Sequence, residues 1–157
     1  MTKRKIIKLL IILTIVGVVA GGGTLLYVFK MPQRNIEKAK IDYSLHASDL
    51  VNEYLKNPEA ANEKYLSEDG NSKILKVSGK IEQITENLNG QLEYLLKESS
   101  DKAGVLCSFA KESELTKSTH KVGDHITLKG VIRAGAAYDE DLGLYENVIV
   151  EKCLLIQ

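Results

Sequence analysis

Few residues in this chain are of types that do chemistry. Cys107 and Cys153 are its two cysteines. Two are too few for a disulfide scaffold, but they leave open a single bridge or a pair of buried apolar thiols. His46, His120 and His125 are the three histidines. Their spacing fits no zinc-ligand pattern, so they read as loop or surface residues. Asp139-Glu140-Asp141 with Gly143 has the acidity of a calcium loop but not the alternating ligand spacing or the terminal acid. A solvated hairpin tip is the expectation there. No Ser/His/Asp arrangement and no paired-carboxylate signature can be placed. The sequence therefore predicts a non-catalytic protein with no cofactor and no metal.

The charges are segregated. The 157 residues carry 21 basic and 21 acidic side chains. Residues 1–30 hold Lys3, Arg4, Lys5, Lys8 and Lys30 and no acid, which leaves 16 basic against 21 acidic side chains in the rest. From Leu9 to Phe29 there is no charged residue. As a helix this run spans about 31 Å, enough for a hydrocarbon core of about 30 Å. Lys8 can snorkel, and Tyr27 and Phe29 stand where an interfacial belt would begin. A cleaved signal peptide competes with this reading, with Ala20 a conceivable cleavage point. Leu25-Leu26-Tyr27-Val28-Phe29 carries the apolar run past that point and favours an uncleaved anchor. Gly21-Gly22-Gly23 is then a packing face or bend rather than a phosphate loop. The basic N-terminus predicts a single-pass cell-membrane protein, N-terminus cytoplasmic and body extracytoplasmic.

The remainder divides into a linker over 31–44 and a domain over 45–157. Hydrophobic residues at 44% and charged residues at 27% suit a folded domain. Leu45 to Leu55 follows a helical pattern in which Ala47, Leu50, Val51, Tyr54 and Leu55 share a face. Asn57-Pro58 starts a second short helix that turns Ala60, Ala61 and Tyr65 inward. After Ile74 the pattern becomes that of strands. Leu75, Val77, Gly79 and Ile81 alternate with polar residues. Ile84 falls on the other parity, which predicts a bulge near Glu82. Asn87-Leu88-Asn89-Gly90 reads as a hairpin turn. Leu92, Tyr94 and Leu96 alternate, then Val105, Cys107 and Phe109, then Ile126, Leu128, Gly130 and Ile132. Lys111 to Lys117 is a polar connection with room for one helical turn, and Gly135 to Gly143 reads as a loop. Asn147 to Ile156 is a last strand, apolar enough to be buried on both faces.

Five strands, the first bent, with glycines inside the first and fourth, predict a mainly β fold: a five-stranded OB-fold barrel preceded by a helical pair. An open five-stranded sheet with a helix layer is the alternative. In such a barrel the third and fifth strands are neighbours, which brings Cys107 toward Cys153. A bridge there would close a loop of about 46 residues and stabilise by roughly 4 kcal/mol.

The stretch Asp49-Leu50-Val51-Asn52-Glu53-Tyr54, then Asn57, Asn62-Glu63-Lys64-Tyr65 and Leu75-Lys76-Val77-Ser78-Gly79-Lys80-Ile81, resembles the opening of the tRNA_anti-like family of OB-fold proteins. Gly104-Val105-Leu106-Cys107-Ser108-Phe109, Val122 to Gly130 and Val148 to Cys153 extend the resemblance to the C-terminus. It implies the OB fold and no particular activity. Nucleic-acid binding needs cations along a phosphate track and aromatics for stacking. Tyr94, Phe109, Lys97 and Lys111 are candidates, with Lys117, Lys121, Lys129 and Arg133 as a basic patch. Against this, Phe109 alternates with core positions and the soluble part is acidic. The expectation is a binding module for a protein, peptide or glycan partner, with single-stranded nucleic acid the alternative.

Overall fold

The computed structural model describes residues 35–68, 70–109 and 120–156, together with Thr14 and Gly22. The chain divides into two units, Met1–Arg34 and Asn35–Gln157. In the first, Thr14 and Gly22 are helical. The rest of the span expected over Leu9 to Phe29 lies outside the described residues, as does the connection from Lys111 to Lys117. Among the described residues no helix is long and apolar enough to cross a membrane.

The second unit runs β1 (Tyr43–His46), α1 (Ala47–Lys56), α2 (Pro58–Tyr65), β2 (Ile74–Glu86), β3 (Leu92–Leu96), β4 (Val105–Phe109), β5 (His125–Ala134), β6 (Ala137–Asp139), β7 (Leu144–Glu146) and β8 (Val148–Leu155). Strands β2, β3, β4, β8 and β5 pair in that order, and β5 pairs again with β2, so five strands close on themselves. The fold is a mainly β closed barrel with two helices, of OB type. One long strand serves two neighbours because it bends: the first half of β2 pairs with β5 and the second half with β3. The register slips between Ile81 and Gln83, where the parity of Ile84 had placed a bulge. Beyond it Ile84 pairs with Tyr94 and returns to the inner face.

Inside the barrel Val77, Ile81, Leu96, Val105, Phe109, Leu128, Ile132, Val148 and Val150 pack with both cysteines. Tyr94 and Phe109 meet edge to face at 4.8 Å. The closing strand is bulged: Lys152 has φ 53, and this positive φ puts Cys153 on the same inner face as Val150, three residues earlier. Gly130 makes that approach possible. A Cβ there would lie 2.6 Å from Val150 Cγ1 and 2.9 Å from Cys153 Sγ. The last strand is not buried on both faces as its composition suggested. The outer side of a closed barrel faces water, and Ile149 points there with 36% of its surface exposed.

The second helix starts where the residues say, while α1 starts at Ala47 rather than Leu45, because Tyr43–His46 pairs with β2 as a strand. The Asn57 side chain accepts from Ala60 N at 3.1 Å and Pro58 opens α2. His46 caps α1, its Nδ1 accepting from Ser48 N at 3.4 Å. In α1 the predicted face is buried, with Leu55 half-buried. In α2 Ala61 and Tyr65 alone fill the inner side and Ala60 is exposed, since two turns offer one inward row.

The described part of the expected 31–44 linker, residues 35–44, is not free. Ile36 is buried against Ile74 and Val131. Lys129, itself buried, donates from Nζ to the carbonyls of Glu37 (3.0 Å) and Ala39 (2.6 Å). Asp42 and Ile74 exchange two hydrogen bonds of 2.8 Å, one through the Asp42 carboxylate. They start β1, which runs parallel to β2. The expected loop from Gly135 to Gly143 likewise folds, as the β6–β7 hairpin.

Replacing Gly130 by Val should lower stability by about 1–3 kcal/mol, because neither the Val150 side chain nor the Glu151 carbonyl beside it can retreat without reopening the β5–β8 pairing. Urea unfolding of the variant measures this, and an unchanged midpoint would refute the close approach.

Candidate ligand-binding face

The outer face of the barrel carries a row that crosses five strands in register. Gln83 pairs with Leu95, Leu95 with Leu106, Leu106 with Ile149, and Ile149 with Ala134. Inward partners alternate with these positions, so the row must point outward. Leu95 and Leu106 are half-buried, and Ile149 is exposed. The adjoining row is polar. Glu93 Oε1 there accepts from Ser108 Oγ at 2.6 Å and Asn87 Nδ2 at 3.3 Å, so its carboxylate is already engaged.

Apolar surface flanks the row at both ends. Beyond the Leu92–Phe109 end, Leu88 at the β2–β3 turn is fully exposed. At the Leu96–Val105 end stands the β6–β7 hairpin. Tyr138 and Tyr145 face each other across it with ring centroids 4.7 Å apart, and Lys102 Nζ lies 5.3 Å from the Tyr145 ring centroid. Leu142 and Leu144 stand out at its tip. Of the six large hydrophobic side chains exposed among the described residues, five belong to this row and its two flanks. Tyr138, Leu142, Leu144 and Ile149 of these lie on the β6–β7 hairpin and on β8 just after it, while Leu88 stands apart beyond the polar row. The hairpin is also acidic, with Asp139, Glu140, Asp141 and Glu146. Asp139 Oδ1 accepts from Leu142 N at 2.9 Å, so the acid expected at a solvated tip builds the turn.

Among the described residues, the basic patch suggested by the sequence does not assemble on this face. Lys129 is buried and committed to the segment at 37–39. Arg133 Nε pairs with Glu151 at 3.0 Å. Lys121 lies beside the Val122-Gly123 turn, and Lys111 and Lys117 fall outside the described residues. Tyr94, considered for stacking, is in the core beside Phe109. The three histidines stand apart. His46 caps α1, the His120 ring lies 6.3 Å from that of Tyr94, and His125 Nε2 is 3.7 Å from Glu98. Cys107 and Cys153 are free thiols, both fully buried in one core. The bridge left open by the sequence is therefore not formed in this structure.

The outward row is not legible in the sequence, because alternation marks only the inward positions. Leu95, Leu106 and Ile149 at the intervening positions were the available signal. Polar residues would be the default there.

A second polar cluster joins the helices to β1. Glu53 Oε2 accepts from Lys64 Nζ and Tyr65 OH, each at 2.8 Å, and Lys64 Nζ lies 4.7 Å from the Tyr65 ring centroid. Burial pushes the Tyr54 hydroxyl beside it up to about 12.

The tRNA_anti-like family model matches residues 1–141. The chain belongs to the tRNA_anti-like family. No curated protein is similar enough to count as a relative. Among solved structures, a Klebsiella pneumoniae lipoprotein proposed to bind nucleic acid is similar at 15% identity and TM-score 0.50, over 73% of this chain and 92% of that one. The yeast Stn1 and Ten1 structure is similar at 16% identity and TM-score 0.37, over 76% of this chain and 65% of that one. At these identities the likeness to the lipoprotein concerns the fold, which agrees with the barrel of this tRNA_anti-like chain.

The Glu53 cluster sets a pH dependence. The Lys64 ammonium holds the Glu53 carboxyl below its ordinary value. A carboxyl with a depressed folded value contributes stability above its unfolded pKa, about 4.3, and loses it as pH falls through the folded value. Replacing Glu53 by Gln should therefore flatten the loss of thermal stability below about pH 4.5. Melting curves of both proteins from neutral to acid pH check it, and parallel curves would contradict it.

Proposed function

We propose that this protein is a membrane-anchored, extracytoplasmic OB-fold interaction module, non-catalytic, whose outer β3–β4–β8 face takes a protein or peptide with an apolar, cation-bearing surface. The observation that carries this reading is the apolar row Leu95–Leu106–Ile149 between exposed Leu88 and the Tyr138–Tyr145 hairpin. Burial of such a row is the main gain on association, about 25 cal/mol per Å² of apolar area. The acidic hairpin tip supplies the charge preference and steers encounter. The anchor rests on the charge-free run from Leu9 to Phe29 behind four cations. It predicts that the full-length protein resists carbonate extraction from membranes.

A second reading, a single-stranded nucleic-acid binder, is favoured by one observation. The Tyr138 and Tyr145 rings with Lys102 beside them could stack bases, at about 1–3 kcal/mol each. The description of the similar lipoprotein points the same way. Acids outnumber cations on that hairpin, however, and counterion release dominates non-specific affinity.

Two measurements separate the readings. A photo-crosslinking residue at Ile149 or Leu142 should capture a discrete protein in cells, and one at Glu59 on α2 should not. Equal capture at all three positions, or none, would refute the proposed face. Labelled single-stranded oligonucleotides should bind the detergent-solubilised protein no tighter than about 10⁻⁴ M at physiological salt. Micromolar binding that falls steeply with salt, and is lost in the Tyr138→Ala variant, would put the second reading first.

A further inference from the structure

The two thiols sit at the place where the barrel closes. Strands β4 and β8 run parallel, with Cys107 opposite Val150 and Phe109 opposite Cys153. Within that short slip, the left-handed backbone at Lys152 puts Cys153 on the inner face that also holds Cys107. The space it enters is left by Gly130, whose missing Cβ would stand 2.9 Å from Cys153 Sγ. Both thiols enter the same core, on paired strands. Each turns to a backbone carbonyl of its own strand, Cys107 to Val105 at 3.9 Å and Cys153 to Val150 at 3.4 Å. Both side chains are covered completely. The pair thus faces one core from neighbouring strands but has no access to an oxidant once the barrel is shut.

We propose that Cys107 and Cys153 form a disulfide across the β4–β8 seam while the chain folds in the presence of a disulfide oxidant, and that closure of the barrel then seals whichever redox state was reached. In the first step one cysteine thiolate attacks a sulfur of the oxidant, forming a mixed disulfide and expelling one thiolate. The second cysteine, deprotonated, attacks the protein sulfur of that mixed disulfide and expels the other. The protein loses two protons and two electrons, and the oxidant disulfide, taking both, becomes two thiols. After closure both routes stop. Neither thiol meets a partner from solution, and burial pushes the Cys153 thiol far up, away from the thiolate that exchange requires. This inference is independent of the ligand face.

The test uses the full-length protein in detergent, unfolded in urea with reductant and then freed of reductant. Half is refolded into a mixture of reduced and oxidised glutathione and half into reductant. Intact mass and alkylation after denaturation without reductant read the outcome. The first sample should be lighter by two hydrogens, take no label, and unfold at higher urea than the second. The second, once folded and transferred to glutathione disulfide, should oxidise at least about tenfold more slowly than the same chain in urea. Two labelled thiols in the first sample, a retained glutathione adduct or crosslinked dimers would overturn the bridge. Oxidation of the folded dithiol as fast as of the unfolded chain would overturn the sealing.

Discussion

Closure of the barrel through the parallel β4–β8 seam is the constraint on which the rest of the structure depends. Four of the five ring pairings are antiparallel, and this one is not. A parallel pair needs a long crossover, and the segment from 110 to 147, carrying β5 and the β6–β7 hairpin, supplies it. To close, β8 must also reach β5, and there the pairing slips twice, between Lys129 and Val131 and between Ile132 and Ala134. The absent side chain at Gly130 and the left-handed Lys152 allow the first of those slips. The same event encloses the core with both thiols in it, aligns Leu106 with Ile149 outside and fixes the hairpin root beside them.

Polar bonds hold what the core cannot. Asn147 accepts from Gly104 N at 2.7 Å, while Gly104 O accepts from Val148 N at 3.0 Å, which locks the start of β4 to the start of β8. Ser48 Oγ donates to Asp101 at 2.7 Å and ties α1 to the β3–β4 connection. The buried Lys129 ammonium satisfies two carbonyls of the segment at 37–39. Hydrogen bonds to a charged group contribute about 1.5–3 kcal/mol, and leaving such carbonyls unpaired costs a similar amount. A residue that composition offers as a cation for phosphate is here a structural clamp.

The parts readable from sequence were those with a strong local cause. Asn57-Pro58 dictated a helix start, Ile84 on the wrong parity dictated a bulge, and inward alternation at Val105, Cys107 and Phe109 dictated the core strand. What escaped had only a tertiary cause. Tyr43–His46 is a four-residue edge strand that exists because β2 offers it a partner, and Ile36 alone cannot announce burial. The hairpin within the supposed loop forms through pairing of three residues with three, too few for alternation to show. The last strand is apolar on its outer side for a reason the barrel itself does not supply. That surplus, shared by Leu95 and Leu106, is the trace of the candidate site, and it becomes visible only when the register lines the residues up.

The charges complete the picture of that site. Arg133 is paired with Glu151, Lys129 is buried, and the hairpin beside the apolar row is acidic. The face offers area and negative charge more than a phosphate track, and its geometry is inherited from the seam beneath it. Native-state hydrogen exchange tests that dependence most directly. If the seam is the closing event, the hydrogen-bonded amides of β4 and β8 exchange only through global unfolding, with the same free energy as the β2–β5 amides. Exchange of the β4–β8 amides through a partial opening well below the global free energy, with β2–β5 still protected, would show that the barrel stands without its seam and would contradict the account.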